Sequence, residues 1–563
     1  MGPTDERAGV PRAASRGGAQ RRFRRNVPKA ARSAKPHAKW VAFKMKLAIW
    51  SYEAPAHVGV SKAAASFAKV HCVLRAPKGD GYGTIMLAMF ERLGVVAPLS
   101  VCAMSEATLA GASADLPVLL REVDARHKPE TIVVTRSATA SVLQEPLEGE
   151  VSVMRPGELN AEIFFASAHP VRDTETSAFA LTTRELVAHF AQDAPRSAGP
   201  SVNIIGPSLL GFHDHSNVAS LRRDLAKLGI EVNAVVPLGA SPEDIRGIGR
   251  AWVNVPLGHE LAQPTLDYLK ERFGTPYVDE LPFGEAGTTR FLRRLCALCE
   301  IPAERIAEAA QEAKLSWYSR TVDAHALSSK RVAVFGTPTT AAGIARVLHD
   351  ELDMQVEFVG TYVLDWAGWL RARVADITSN VLITDDYREV ARAIDETRPD
   401  IMFGSQMERH SASALGLPCA VISPPAHILN FPLGYAPFAG YDGANHIGDL
   451  VNQTQVLGLE HHLIEMFGPR GQGRFAEAAP EPERRTPPET LPVPAAAQLL
   501  DLTAPKAGDA PLHWDRSAEK LLGRVPFFVR KKARELVEKY ARDHDIVAID
   551  ESVVVRAREH AGK

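Results

Sequence analysis

The chain has 563 residues, with a hydrophobic share of 45%, a charged share of 23% and a net charge of −2. That balance describes a globular protein with no electrostatic demand for nucleic acid, and at roughly 150 residues per domain the length suits about three or four domains. Uninterrupted apolar runs are too short for a transmembrane helix.

The near-neutral total hides an asymmetry. Residues 1–44 carry twelve Lys/Arg against two Asp/Glu, so the remainder sits near −12. This stretch, with Arg21-Arg22-Phe23-Arg24-Arg25 and scattered Gly, Pro and Ala, has neither helical nor strand periodicity and reads as a disordered basic extension. An organellar transit peptide would share its Arg-rich, acid-poor composition.

From Lys46 onward strands alternate with helices. Apolar, β-branched runs at Val70–Leu74, Ile132–Val134, Val202–Ile205, Val232–Val236, Val332–Phe335, Val356–Val359, Val381–Ile383 and Cys419–Ile422 are each followed by turn residues and then a helical pattern. Such alternation predicts an α/β protein of doubly wound parallel sheets, with ligands at the carboxyl ends of the strands. New strands open after Ala198-Gly199-Pro200 and after Ser328-Ser329-Lys330. The expected α/β domains are therefore 45–198, 199–328 and 329–468. An Ala- and Pro-rich linker over 469–511 cannot bury enough apolar surface to order itself. A small helical module over 512–563 follows, with Pro526 near the start of its main helix.

The five cysteines, Cys72, Cys102, Cys296, Cys299 and Cys419, are too few and too scattered for a disulfide framework, which suits a reducing compartment. Cys296 and Cys299 fall on a helical pattern where i and i+3 share a face, so packing explains them as well as redox or metal chemistry does. A four-thiolate iron-sulfur site needs a second cysteine group that this chain lacks, so any such site must be shared with another polypeptide. Gly336-Thr337-Pro338-Thr339-Thr340-Ala341-Ala342-Gly343 opens a helix after a strand but lacks G-x-G-x-x-G. Pro338 also removes an amide that a phosphate would use, and no Walker A sequence occurs. Nucleotide hydrolysis belongs elsewhere.

The most informative segment is Leu74-Arg75-Ala76-Pro77-Lys78-Gly79-Asp80-Gly81-Tyr82-Gly83, a carboxylate flanked by glycines at a strand-to-helix turn. For an arbitrary P-x-G-D the plain reading is a turn Asp bonding its own backbone. Together with Met45-Lys46-Leu47-Ala48-Ile49-Trp50-Ser51-Tyr52-Glu53-Ala54-Pro55-Ala56-His57-Val58-Gly59, however, the segment resembles the B-subunit family of light-independent protochlorophyllide reductases, which are nitrogenase-like enzymes. The carboxyl-terminal Pro526-Phe527-Phe528-Val529-Arg530 resembles the same family, as do Gln406-Met407-Glu408-Arg409 and Leu417-Pro418-Cys419-Ala420-Val421-Ile422-Ser423-Pro424-Pro425-Ala426-His427. The resemblance covers nearly everything from Met45 to Ala557.

The resemblance implies three nitrogenase component 1-like domains and ATP-driven reduction of the D-ring double bond of protochlorophyllide to chlorophyllide a in chlorophyll and bacteriochlorophyll biosynthesis. It makes Asp80 the oxygen ligand of a [4Fe-4S] cluster whose other ligands are cysteines of an N subunit. The assembly would be an α2β2 heterotetramer, with ATP hydrolysed by a separate iron-sulfur ATPase homodimer, the L subunit. A hard oxygen donor favours ferric iron and lowers the cluster potential. The pigment would lie in an apolar pocket between domains. Asp323, in Ser316-Trp317-Tyr318-Ser319-Arg320-Thr321-Val322-Asp323, takes the family's proton-donor position, the alternative being a cap or salt bridge. Adding two electrons and two protons to a ring double bond requires an acid, and an apolar macrocycle raises a carboxyl pKa. His427 and Met407 are the substrate-side candidates; a satisfied structural histidine and a packed methionine are the alternatives. Glu408 and Arg409 would form an ion pair or face a subunit interface. The location implied is cytoplasmic, or a plastid if residues 1–44 are a transit peptide.

Two departures stand out. Ala138, in Ser137-Ala138-Thr139-Ala140-Ser141, replaces a family cysteine, and Asn452-Gln453-Thr454-Gln455 lacks the family's V-H-P before Gly458-Leu459-Glu460. They leave open a diverged nitrogenase-like reductase of another substrate, or a noncatalytic pigment carrier.

Overall fold

The computed structural model describes residues 51–80, 98–104, 115–143, 147–152, 154–155, 157–321, 324, 327–426, 434–467, 513–515, 518, 522, 527–544, 546 and 548–561, excluding the side chains of 456–467, 527–533, 551 and 558–561. The basic extension, the Pro/Ala-rich linker, Asp323 and His427 lie outside them. The chain divides into two compact units, 1–473 and 474–563.

The larger unit is built on three parallel sheets. The first contains β1 (Val70–Ala76), β2 (Leu99–Ala103), β3 (Thr131–Arg136) and β4 (Glu162–Phe165) in the order β2-β1-β3-β4. The second contains β5 (Ser201–Ile205), β6 (Glu231–Val236) and β7 (Val253–Pro256) in the order β6-β5-β7. The third contains β8 (Arg331–Gly336), β9 (Gln355–Thr361), β10 (Val381–Ile383), β11 (Ile401–Gly404) and β12 (Cys419–Val421) in the order β10-β9-β8-β11-β12. Every ladder is parallel.

Helices cover both faces of these sheets. That is why β1, β5, β7 and β11 are buried along their whole length and read as apolar runs rather than alternating ones. The third core gathers Val332, Val334, Ile344, Val347, Val359 and Phe403 between the sheet and the helix Pro338–Asp350. Cys296 and Cys299 settle the open reading of that pair. Each is about 1% exposed, and both sit in the apolar core of the second sheet with Leu225, Val253 and Phe291.

Order in the sheets fixes where ligands are received. In the first sheet the chain runs outward from β1 to β2, then returns past β1 to β3 and β4. The connections leaving β1 and β3 therefore diverge, and a crevice opens between the carboxyl ends of those strands. In the third sheet the same reversal falls between β8 and β11, so residues after Gly336 and after Gly404 face the equivalent crevice.

The helix Ala56–Ser66 approaches the helix Glu175–Phe190 so closely that a Cβ on Gly59 would overlap the Glu175 carbonyl. Gly59→Ala should therefore destabilise the larger unit by about 1–3 kcal/mol through overpacking. A lower urea midpoint is the expected reading, and an unchanged midpoint would contradict this packing.

The smaller unit pairs β13 (His513–Trp514) with β14 (Ala548–Ile549) in parallel, beside the helices Phe527–Asp543 and Glu551–Ala561. Its core is Ala518, Val537, Ala541, Ile549, Val553 and Ala557. It is thus mainly helical, with a short strand pair in addition.

Candidate active site

Asp80 lies in the crevice that the strand order creates. β1 ends at Ala76, and the turn Pro77-Lys78-Gly79-Asp80 closes with the Asp80 N–H donating to the Pro77 carbonyl at 3.1 Å. Asp80 is partly exposed, and a Cβ added to Gly79 would meet only open space. The facing wall starts after β3, where Ser137 donates its N–H to the Arg75 carbonyl at 3.0 Å and its Oγ caps the Ala140 N–H at 3.2 Å. Ala138 begins that short helix, Ala138–Val142. The residue standing where the family has a cysteine therefore borders the same crevice. Beside it is an apolar cavity of about 350 Å³ lined by Pro77, Met104, Thr139, Val142 and Leu143.

Beneath the turn is a charge that composition gave no sign of. Arg75 is fully buried on β1, in register with Cys102 on β2, and its Nη1 donates to the Cys102 Sγ at 2.9 Å. Burial pushes the Cys102 thiol above its ordinary value, while the guanidinium pulls the other way. The charge of Asp80 also acts on His57, on the first turn of the helix Ala56–Ser66. His57 is 5% exposed, and burial lowers its pKa against that opposing influence.

The Ser51-Tyr52-Glu53-Ala54-Pro55 segment acts as a clamp. The Ala54 N–H donates to Glu175 Oε2 at 2.8 Å, and Glu53 Oε1 accepts the Thr176 N–H at 3.1 Å. Lys62 Nζ pairs with Glu175 Oε1 at 2.8 Å. Tyr52 reaches the third sheet instead, where its hydroxyl donates to Glu408 and its ring stacks on Tyr362 with centroids 4.9 Å apart.

Glu408 is 1% exposed and completes a capping box at the start of the helix Gln406–Ala414. It accepts from the Ser405 N–H at 2.7 Å and from the Ser405 Oγ at 2.6 Å. The sequence allows Glu408 an ion pair with Arg409 or a place at a subunit interface. Its bonds instead go to Ser405 and Tyr52, and burial pushes its carboxyl above the ordinary range. Met407 is buried in a cluster with Tyr52, Phe335, Phe358 and Tyr362. Tyr52→Phe should cost about 1–3 kcal/mol by removing one buried donor from Glu408. A thermal midpoint equal to wild type would show that this bond contributes nothing.

The flanks of the two remaining candidates are described. Thr321 Oγ1 donates to the Tyr318 carbonyl at 2.7 Å, two residues before Asp323. Tyr318 in turn donates its hydroxyl to Asn452 Oδ1 at 3.1 Å, so the segment lacking V-H-P contacts Tyr318. Ahead of His427, Ser423 Oγ accepts the Thr337 N–H at 2.9 Å, which ties that segment to the start of the helix Pro338–Asp350. Among the described residues no three His, Cys, Asp or Glu side chains group as a metal site, and no helix is long and apolar enough to cross a membrane.

Comparison with known proteins places this geometry. Residues 55–455 match the family of nitrogenase component 1 type oxidoreductases, and residues 514–558 match the proto-chlorophyllide reductase 57 kD subunit family. The chain is 38% identical over 546 residues to the B subunit of light-independent protochlorophyllide reductase from Chloroflexus aggregans, covering 92% of this chain and 100% of that protein. The corresponding B subunit from Heliobacterium modesticaldum is 39% identical over 521 residues, covering 92% of this chain and 98% of the relative. That from Nostoc punctiforme is 35% identical over 535 residues, covering 92% and 100%. Among solved structures, nitrogenase Cp1 at pH 6.5 superposes with a TM-score of 0.62 at 17% identity, over 73% of this chain and 93% of that one, which is a likeness of fold. With matches spanning both the nitrogenase-type body and the carboxyl-terminal module, this chain belongs to the family of light-independent protochlorophyllide reductase B subunits.

Proposed function

We propose that the chain is the B-type subunit of an ATP-dependent, light-independent protochlorophyllide reductase, which reduces the pigment's D-ring double bond to give chlorophyllide a. It works in an α2β2 heterotetramer with an N subunit, and an iron-sulfur ATPase homodimer delivers the electrons. The observation that carries this reading is the pairing, in one chain, of the nitrogenase-type body with the module over 514–558.

Asp80 is assigned as the oxygen ligand of a [4Fe-4S] cluster shared with the N subunit. The partly exposed position of Asp80 at a sheet crevice supports a shared group. The open space at Gly79 gives a partner chain room to approach. When bound, such a cluster supplies one-electron relay. Asp323 is assigned as the acid that delivers a proton to the pigment, with His427 on the substrate side, while the burial of Met407 among Tyr52, Phe335 and Tyr362 supports the packed reading of that residue. The free state of all five cysteines suits a reducing cytoplasm.

The test is an anaerobic assay of this chain with its N partner, the ATPase, ATP, reductant and protochlorophyllide. A red-shifted product spectrum is expected. A complex carrying full iron that gives no shift would favour the diverged reductase or carrier that Ala138 and Asn452 leave open.

A further inference from the structure

His213 stands where the loop after β5 turns into the helix Asp214–Leu228, and its backbone lies in the left-handed region at φ 62°. A residue with a Cβ keeps that conformation only where its surroundings hold it there. They do so here. Ser216 Oγ accepts the Ala436 N–H at 3.1 Å and Asn217 Oδ1 accepts the Phe438 N–H at 2.7 Å, so the backbone over 436–438 is seated on the start of this helix. Phe212 and Phe438 pack on the His213 ring, with centroids 4.1 and 4.8 Å away.

The protonation of that ring follows from its one bond. His213 Nδ1 meets the Ala436 carbonyl, which can only accept, so Nδ1 carries the proton and Nε2 keeps a lone pair. His213 is 8% exposed, and Nε2 is buried with no partner among the described residues. The bond to Ala436 explains Nδ1 and leaves Nε2 unexplained. A protonated nitrogen tied to a backbone carbonyl, with the other lone pair bare, is how histidine is commonly presented to a metal.

A second imidazole is within reach. His446, on the helix Gly440–Phe467, has its ring centroid 6.2 Å from that of His213, and the Phe438 ring lies 5.5 Å from it. Two rings bound through nitrogen at about 2.0–2.1 Å from one ion have centroids at most roughly 6.4 Å apart, so a single ion can serve both. Burial lowers the pKa of each imidazole, that of His213 to about 4, which keeps both in the neutral form a metal requires. His446 is only partly buried, so an ion can enter from its side.

We propose that His213 and His446 are the protein ligands of a divalent transition-metal site, of the zinc or copper class that imidazole suits. The proposal does not depend on the reading of Asp80. Two protein ligands leave the other coordination positions to solvent, and the ion fastens the loop after β5 to the helix Gly440–Phe467.

The test titrates zinc, and separately copper(II), into the full-length chain, purified without a histidine tag and stripped with a chelator. One zinc per chain should bind and raise the thermal midpoint by about 2 °C or more at saturation. The copper electron paramagnetic resonance spectrum should show splitting from two imidazole nitrogens. His446→Leu should weaken zinc binding by at least about 10–100-fold, the loss seen even when a group that merely orients a ligand is removed, and should leave splitting from one nitrogen. His213→Gln, whose amide keeps a donor for the Ala436 carbonyl, should do the same. A wild-type chain that takes up no zinc, or either variant binding zinc and copper as wild type does, would overturn the proposal. Should a variant fail to fold, the wild-type copper spectrum decides alone, and the absence of two-nitrogen splitting rules the site out.

Discussion

Asp80→Cys, assembled with its partner, should retain iron and yet lose turnover by about 10–100-fold or more. The substitution keeps a ligand of similar reach at the crevice between β1 and β3, so cluster binding survives. What changes is the donor. A carboxylate is a hard oxygen ligand that stabilises the oxidised iron more than thiolate does, and replacing it with sulfur makes the electrons held there less reducing. Reduction of an unactivated ring double bond then loses driving force, although every other group is intact. Asp80→Ala, offering no ligand, should lose iron as well. Measuring iron content beside the rate of chlorophyllide formation distinguishes the two variants. Unchanged turnover in Asp80→Cys would remove the special role of oxygen.

Asp323→Ala should bind pigment but convert it about 10²–10⁴-fold more slowly, the usual contribution of a positioned general acid. On the proposal that Asp323 serves as the proton donor, KM should change little while kcat collapses. Asp323→Asn, which keeps the shape without the acid, should behave alike. Pigment that co-purifies with the variant while product fails to form is the expected signature. Near-normal product formation would count decisively against the assignment.

Strand chemistry explains how much of the fold is legible in the residues. Val332–Phe335, Ile132–Val134 and Val202–Ile205 are β-branched or aromatic runs bounded by turn residues, and they form β8, β3 and β5. The short Glu162–Phe165, Val253–Pro256 and Ile401–Gly404 strands carry weaker local signals and are defined by pairing with neighbours already in place. The two-residue β13 and β14 have no pattern of their own.

The site divides along the same line. Asp80 is legible because Pro77 and Gly79 mark a turn at a strand end, and Ser405 with Glu408 spells a capping box. Contacts across the chain are not. Tyr52 and Glu408 are 356 residues apart, and only the tertiary fold, which seats Tyr52 in the apolar cluster of the third sheet, brings them together. Arg75 reads as an ordinary charged residue until β1 is seen buried on both faces.

The most direct measurement is an electron cryomicroscopy structure of this chain in its anaerobically purified complex with the N subunit. The expected result is iron at the interface of the two polypeptides, bound there through an Asp80 carboxylate oxygen and through thiolates of the partner. Asp80 turned to bulk water, with the cluster ligated entirely by other residues, would contradict it.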